Sequence, residues 1–92
     1  MIHSFKCNDT ETLFLSRNVP RLKNIERVAR RKLLQIHAAT ELNSLKIPPG
    51  NGLESLKGER KGQHSIRINV QWRVSFVWKL DGAHNLEIVY FH

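Results

Sequence analysis

Residues 64–79 read HSIRINVQWRVSFVWK, and apolar and polar side chains alternate along most of this stretch. Successive side chains of a β-strand point to opposite faces of the sheet, so the alternation predicts two strands that each have one apolar face. A third alternating segment follows Asp81-Gly82, a dipeptide that favours a tight hairpin turn. The three strands are therefore predicted to form an antiparallel meander.

The register of this alternation divides the strand residues between two faces. The even-numbered face is apolar and is predicted to pack on the core: Ile66, Ile68, Trp72, Val74, Phe76, Trp78, Leu86 and Ile88. The odd-numbered face is mainly polar and is predicted to be open to solvent: Ser65, Arg67, Asn69, Arg73, Ser75, Lys79, Glu87 and Phe91.

Arg67 and Arg73 of the odd-numbered face are expected on neighbouring strands, close enough to bind one anion together. Phosphate is the obvious candidate, because a guanidinium group binds it with a planar fork of donors. The alternative is that they are two ordinary exposed arginines on the polar face of a sheet.

The chain before residue 53 has helical periodicity. Asn8 and Asp9 are expected to cap a short helix, and a longer helix with apolar residues at spacings of three and four follows Pro20. First and second strands are expected over Met1–Phe5 and Leu53–Leu56. The predicted fold is α+β, with an N-terminal strand and two to three helices packed on one face of a mainly antiparallel sheet.

One side of the longer helix is strongly basic. We call this set the helix stripe, and it consists of Arg21, Lys23, Arg27, Arg30 and Arg31. The helix stripe is either a solvated surface or a surface that binds RNA or an acidic protein partner.

The composition also indicates a polyanionic partner. The 92 residues suit one domain over positions 1–92, with 15 Lys and Arg against 8 Asp and Glu, a net charge of +7 and a pI near 10.2. The alternative is a solvated basic surface without a partner.

A single cysteine, Cys7, cannot form an internal disulfide, and no apolar run reaches the roughly 18 residues of a membrane helix. We therefore expect a cytoplasmic protein with no membrane partner.

Residues 56–69, LKGERKGQHSIRIN, followed by Gln71-Trp72-Arg73-Val74, resemble the central signature of HigB toxins, the plasmid-maintenance killer proteins of the RelE/ParE superfamily. The opening Met1–Phe5, the segment Ala39-Thr40-Glu41-Leu42 and the terminal His92 are similar to the same family. The resemblance implies a RelE-like fold and ribosome-dependent cleavage of messenger RNA in the A site, which inhibits translation. It also implies a helix-turn-helix antitoxin of the HigA type, through which alone the toxin meets operator DNA.

The expected chemistry needs no metal or other cofactor. No Cys/His set in the sequence has ligand spacing, and the substrate's own 2′-hydroxyl can attack the adjacent phosphate. Such a site needs a base, an acid and cations on the phosphorane.

The resemblance assigns the main roles. Arg73 matches the family arginine beside the strand tryptophan and is expected to stabilise the phosphate, while Lys57 matches the lysine of the Leu-Lys-Gly motif and does similar electrostatic work. His92 matches the terminal histidine and is the expected general base or acid. From the residues themselves, Arg67 is a supporting cation. Arg60 and Lys61 belong to an exposed basic turn that is expected to contact RNA.

Two positions depart from the family pattern. Many members end in Asp-Tyr-His, whereas this chain ends in Tyr90-Phe91-His92. Phe91 cannot donate a proton but can stack on a base, and Tyr90 supplies a hydroxyl only if the last strand slips by one residue. Glu54 stands where some relatives carry histidine, and its carboxylate either serves as a base or repels the substrate.

These departures leave two alternatives to the ribonuclease open. One is a ParE-like toxin that inhibits DNA gyrase and cleaves nothing. The other is a catalytically weakened module that only binds RNA or the antitoxin.

Overall fold

A computed structural model of the chain describes residues 1–90. Within this range two α-helices precede a four-stranded antiparallel sheet of order β1-β2-β3-β4. The helices are α1 (Asn8–Phe14) and α2 (Glu26–Ala38), and the strands are β1 (Glu54–Ser55), β2 (Gln63–Arg67), β3 (Trp72–Lys79) and β4 (Gly82–Tyr90). Short 3-10 turns lie at Pro20–Ile25, Leu42–Lys46, Pro49–Asn51 and Gly58–Arg60. The predicted α+β fold is confirmed.

The two helices pack on the even-numbered face of the sheet. Ala29, Leu33 and Ile36 of α2 are fully buried at helical spacing, in one core with Val74 and Ile88 of the sheet. The predicted long helix is α-helical only from residue 26, because the chain after residue 20 first forms a 3-10 turn. Among the helices of residues 1–90, none has the length and apolar character of a membrane span.

The N-terminal segment covers the outer edge of β4. Ile2 and Phe5 form isolated parallel bridges to Ala83 and Leu86, so the predicted first strand is reduced to two bridges. Further along the edge, the Ile88 amide donates to the Thr10 hydroxyl of α1 at 3.0 Å. These contacts satisfy backbone groups that an exposed strand edge would offer to another chain.

A bulge in β4 changes which residues face the core. The β3–β4 register shifts between Ser75 and Val77, and Asn85 in the bulge has a φ of 55°. Ala83 and Leu86, three positions apart, are consequently both fully buried. His84 pairs with Val77 and therefore lies on the face opposite Ala83.

The odd-numbered face is not open to solvent over its centre, so this prediction was wrong there. Ser65, Arg73 and Ser75 have relative exposures of 1%, 7% and 0%. The chain around β1 covers them, since Gly52 binds Arg73, and Leu56 and Arg60 enclose a cavity with all three residues. We call residues 52–61 the covering segment. Arg67 and Lys79, at the ends of their strands, are exposed as predicted.

Asn51 fixes the chain that leads into the covering segment. Its side chain is fully buried, and its amide donates to Gln35 Oε1 at 3.2 Å and to the carbonyls of Leu45 and Ile47 at 3.1 and 3.4 Å. Its Oδ1 accepts a hydrogen bond from Lys32 Nζ. Burial and the neighbouring Arg31 charge lower the pKa of Lys32. Asn51 therefore ties the loop after α2 to α2 itself.

Replacing Asn51 by Ala is expected to lower the free energy of unfolding by about 2 kcal/mol or more, because buried acceptors and a lysine lose their partner. Urea denaturation measures the change. Asn43→Ala is the matched control, since Asn43 is exposed on a 3-10 turn. Equal stability of the two variants would contradict the role given to Asn51.

Candidate active site

A cavity of about 190 Å³ lies between the odd-numbered face of the sheet and the covering segment. It is placed near the start of β3 and the end of β4, away from the β3–β4 turn. Its walls come from three strands and from the covering segment: Leu56, Arg60, Ser65, Arg73, Ser75, Val89 and Tyr90.

Arg73 is the one buried charged residue among residues 1–90. Its Nε donates to Ser65 Oγ at 2.8 Å, and its Nη2 donates to the carbonyls of Gly52 and Ser65. Within residues 1–90 its Nη1 has no hydrogen-bond acceptor. The guanidinium is therefore held rigidly by protein groups on one side and keeps donors for a ligand on the other.

The charge of Arg73 is only partly compensated. Burial lowers the pKa of its guanidinium, the Glu54 carboxylate opposes this effect, and the Arg67 charge adds to it. Glu54 Oε1 lies 3.9 Å from Arg73 Nε and its side chain is half exposed, while Arg67 is the direct cross-strand partner of Arg73. A buried cation in this setting favours an anion beside it. The predicted Arg67 and Arg73 pair is thus adjacent, with one arginine buried and one exposed.

The basic turn of the covering segment is less exposed than predicted. Arg60 is half-buried and donates to Glu87 Oε1 at 2.9 Å, and Lys6 Nζ lies 3.9 Å from the same oxygen. Arg60 therefore contributes a largely neutralised charge to the cavity wall. Lys57 and Lys61 are exposed, and Lys57 lies between the cavity residues Leu56 and Arg60 in the chain.

Tyr90 stays on the even-numbered face with Trp72, because β4 does not slip there. It pairs with Trp72 in regular register, and the two rings meet edge-on with centroids 5.0 Å apart. It also lines the cavity and is about half exposed. Phe91 and His92, the predicted stacking residue and the predicted acid or base, lie outside the described residues.

The helix stripe is not part of this site. Its helix packs on the even-numbered face, whereas the cavity is on the odd-numbered face. Two of its members also have partners of their own: Arg21 binds Asp9, and Arg30 donates to the carbonyls of Leu13 and Arg17 at 3.0 Å. Among the described residues the cations without an ion pair in the stripe are Lys23, Arg27 and Arg31.

Sequence reasoning missed two groups that position Arg73. Gly52 has a left-handed φ of 53°, and a Cβ built there would lie 3.7 Å from Arg73 Nη2. The strand alternation places Ser65 on an open face, whereas its hydroxyl is buried and accepts the Arg73 Nε hydrogen bond. The run Pro48-Pro49-Gly50-Asn51-Gly52 signals a turn, but no local pattern shows that its last carbonyl meets a strand arginine.

The chain is similar to known proteins over most of its length. The family described as RelE-like toxins of the type II toxin-antitoxin system HigB matches residues 4–92. Toxin HigB-1 of Vibrio cholerae serotype O1 is 48% identical over 60 residues, which are 65% of this chain and 62% of that protein. An uncharacterized protein of Haemophilus influenzae is 36% identical over 63 residues, 68% of this chain and 62% of that protein. The matched region thus spans less than two thirds of either relative.

Inorganic phosphate is expected to stabilise the fold through Arg73. At about ten times its dissociation constant it should add about 1.4 kcal/mol, or roughly 5–10 °C in Tm, because it binds the folded state alone. Thermal unfolding in phosphate is compared with sodium chloride of equal ionic strength.

Arg73→Met should show no rise in Tm in phosphate, whatever its Tm without phosphate is. Arg31→Met, which removes an exposed arginine from α2, should keep it. The same phosphate response in both variants would show that Arg73 holds no anion.

Proposed function

This chain belongs to the HigB-like family of RelE-like toxins of type II toxin-antitoxin systems, and from that premise we propose that it is a metal-independent endoribonuclease, an mRNA interferase. The proposed substrate is messenger RNA in the A site of the bacterial ribosome, and its cleavage inhibits translation. The proposed inhibitor is a HigA-type helix-turn-helix antitoxin, which alone contacts operator DNA. The unit of function is one toxin domain, residues 1–92.

The buried Arg73 guanidinium is the observation that carries the proposal. A phosphate that is attacked by a neighbouring hydroxyl passes through a phosphorane with extra negative charge on its oxygens. Arg73 is held by Ser65 and Gly52 before any ligand arrives, so it stabilises that charge without having to reorganise. Burial strengthens the interaction, because the cation faces little competing solvent.

Glu54 is the proposed general base. In the reaction the 2′-hydroxyl gives up its proton and attacks the adjacent phosphorus, and the 5′-oxygen of the next nucleotide leaves with a proton. The products are a 2′,3′-cyclic phosphate and a 5′-hydroxyl. The Glu54 carboxylate lies 3.9 Å from Arg73 Nε and is half exposed, so a ribose beside the bound phosphate is within its reach. His92 is the proposed acid that protonates the leaving oxygen.

The exposed cations around the cavity are proposed to hold the RNA backbone. Arg67 lies opposite Arg73 on β2, and Lys57 and Lys61 lie on the covering segment. Phe91 is proposed to contact an unpaired base by stacking. The unpaired members of the helix stripe face the other side of the sheet and suit contact with ribosomal RNA or with an acidic antitoxin: Lys23, Arg27 and Arg31.

Arg73→Met is expected to reduce cleavage by roughly 100-fold or more, because the phosphorane loses its fixed cation. Primer extension on messenger RNA translated by bacterial ribosomes measures this. Lys46→Met, which removes an exposed cation of a 3-10 turn, is the control and should cleave normally. Unchanged cleavage by folded Arg73→Met would refute the role of Arg73.

The wild-type lanes of that experiment decide between the function classes. Absence of cleavage with intact ribosome binding would identify a weakened binding module. Absence of cleavage together with inhibition of gyrase supercoiling would identify a ParE-like toxin.

Glu54→Gln separates the two roles of this carboxylate. If Glu54 is the general base, Glu54→Gln should lower the cleavage rate by roughly 100-fold, while binding to ribosomes stays equal or tightens. A carboxylate that only repels RNA would instead give faster cleavage in the variant. Glu59→Gln removes an exposed carboxylate five positions away on the covering segment and is the matched control.

A further inference from the structure

A second cluster of chemically active side chains lies at the other end of the β3–β4 hairpin. His3, Asp81 and His84 each offer one ligand atom, and these atoms all lie within 4.8 Å of one another. His84 Nε2 is 2.7 Å from Asp81 Oδ1, and His3 Nε2 is 3.8 Å from Asp81 Oδ2. His3 Nε2 also lies 2.5 Å from the Asp81 backbone carbonyl oxygen, so both Nε2 atoms are beside Asp81.

The two histidine rings are arranged side by side. Their centroids are 4.9 Å apart and their planes differ by 16°.

The backbone holds these three residues together before any ligand binds. The His3 amide donates to the Ala83 carbonyl at 2.8 Å, and the Ala83 amide donates to the Met1 carbonyl at 3.0 Å. A Cβ at Gly82 would lie only 2.3 Å from the Met1 carbonyl oxygen, so the N-terminal segment rests directly on the hairpin turn. The donor atoms belong to side chains that are only partly buried and can rotate.

We propose that His3, Asp81 and His84 form a binding site for a divalent ion of the zinc class. Two imidazole nitrogens and one carboxylate oxygen are a donor set that zinc takes in proteins, with water in the fourth position. Tetrahedral bonds of about 2.0–2.1 Å hold ligand atoms roughly 3.3–3.5 Å apart, so side-chain rotations that shift the ligand atoms by up to about 1.5 Å complete the site.

The ion in this site is structural and takes no part in RNA cleavage. Most of β3, about 20 Å of extended chain, separates the β3–β4 turn from Arg73. Bound zinc cross-links the N-terminal segment to the β3–β4 hairpin, and because it binds the folded state it raises stability.

The test is zinc binding by the untagged full chain, measured by competition with a chromogenic chelator and by the Tm shift that zinc causes. The wild type is expected to bind one zinc ion and to gain Tm. His3→Gln, Asp81→Asn and His84→Gln should each weaken binding by at least about tenfold and reduce the Tm gain.

His64→Gln is the matched control, because His64 is a half-buried strand histidine outside the cluster and should leave zinc binding unchanged. His3→Gln keeps the test valid if a hairpin variant fails to fold, since His3 is exposed. Absence of stoichiometric zinc binding by the wild type would overturn the proposal, as would equal binding by His3→Gln and the wild type.

Discussion

The buried guanidinium of Arg73 connects strand β3 to the covering segment. It leaves β3 on the face opposite the helices and meets the Gly52 carbonyl at the start of the covering segment. Because a buried cation needs acceptors around it, this contact holds residues 52–61 over the sheet and creates the cavity beside them. Asn51 holds the adjoining chain against α2. Residues 51 and 52 therefore connect the helical layer to the covering segment.

The same sheet therefore serves two purposes on its two faces. Val74 belongs to the core under the helices, while Arg73 and Ser75, its neighbours in the chain, belong to the cavity wall. Strand alternation enforces this division, since adjacent side chains must point to opposite sides. The helix stripe and the proposed catalytic residues consequently lie on different sides of the sheet, so the proposed RNA site and the proposed partner surface do not overlap.

Much of the candidate site was visible in the sequence, but its assembly was not. The resemblance to HigB toxins singled out Arg73 and Lys57, and the cross-strand placement of Arg67 beside Arg73 followed from alternation. The burial of Arg73 and the pairing of Arg60 with Glu87 did not follow, because both depend on contacts between segments far apart in the chain. The His3, Asp81 and His84 cluster was missed for the same reason, since spacing along the sequence carries no sign of it.

By itself the sequence determined the α+β class, the hairpin between the last two strands and the apolar face that the helices cover, although the turn lies at Leu80-Asp81, one residue before the predicted Asp81-Gly82. These features depend on local periodicity and turn chemistry, which act over a few residues. Only the tertiary structure decided that the other face is covered, that the bulge at Asn85 turns His84 away from the core, and that Arg73 is buried. Those outcomes depend on where a distant segment comes to rest, and that is set by packing and hydrogen bonding of the whole chain rather than by any local pattern.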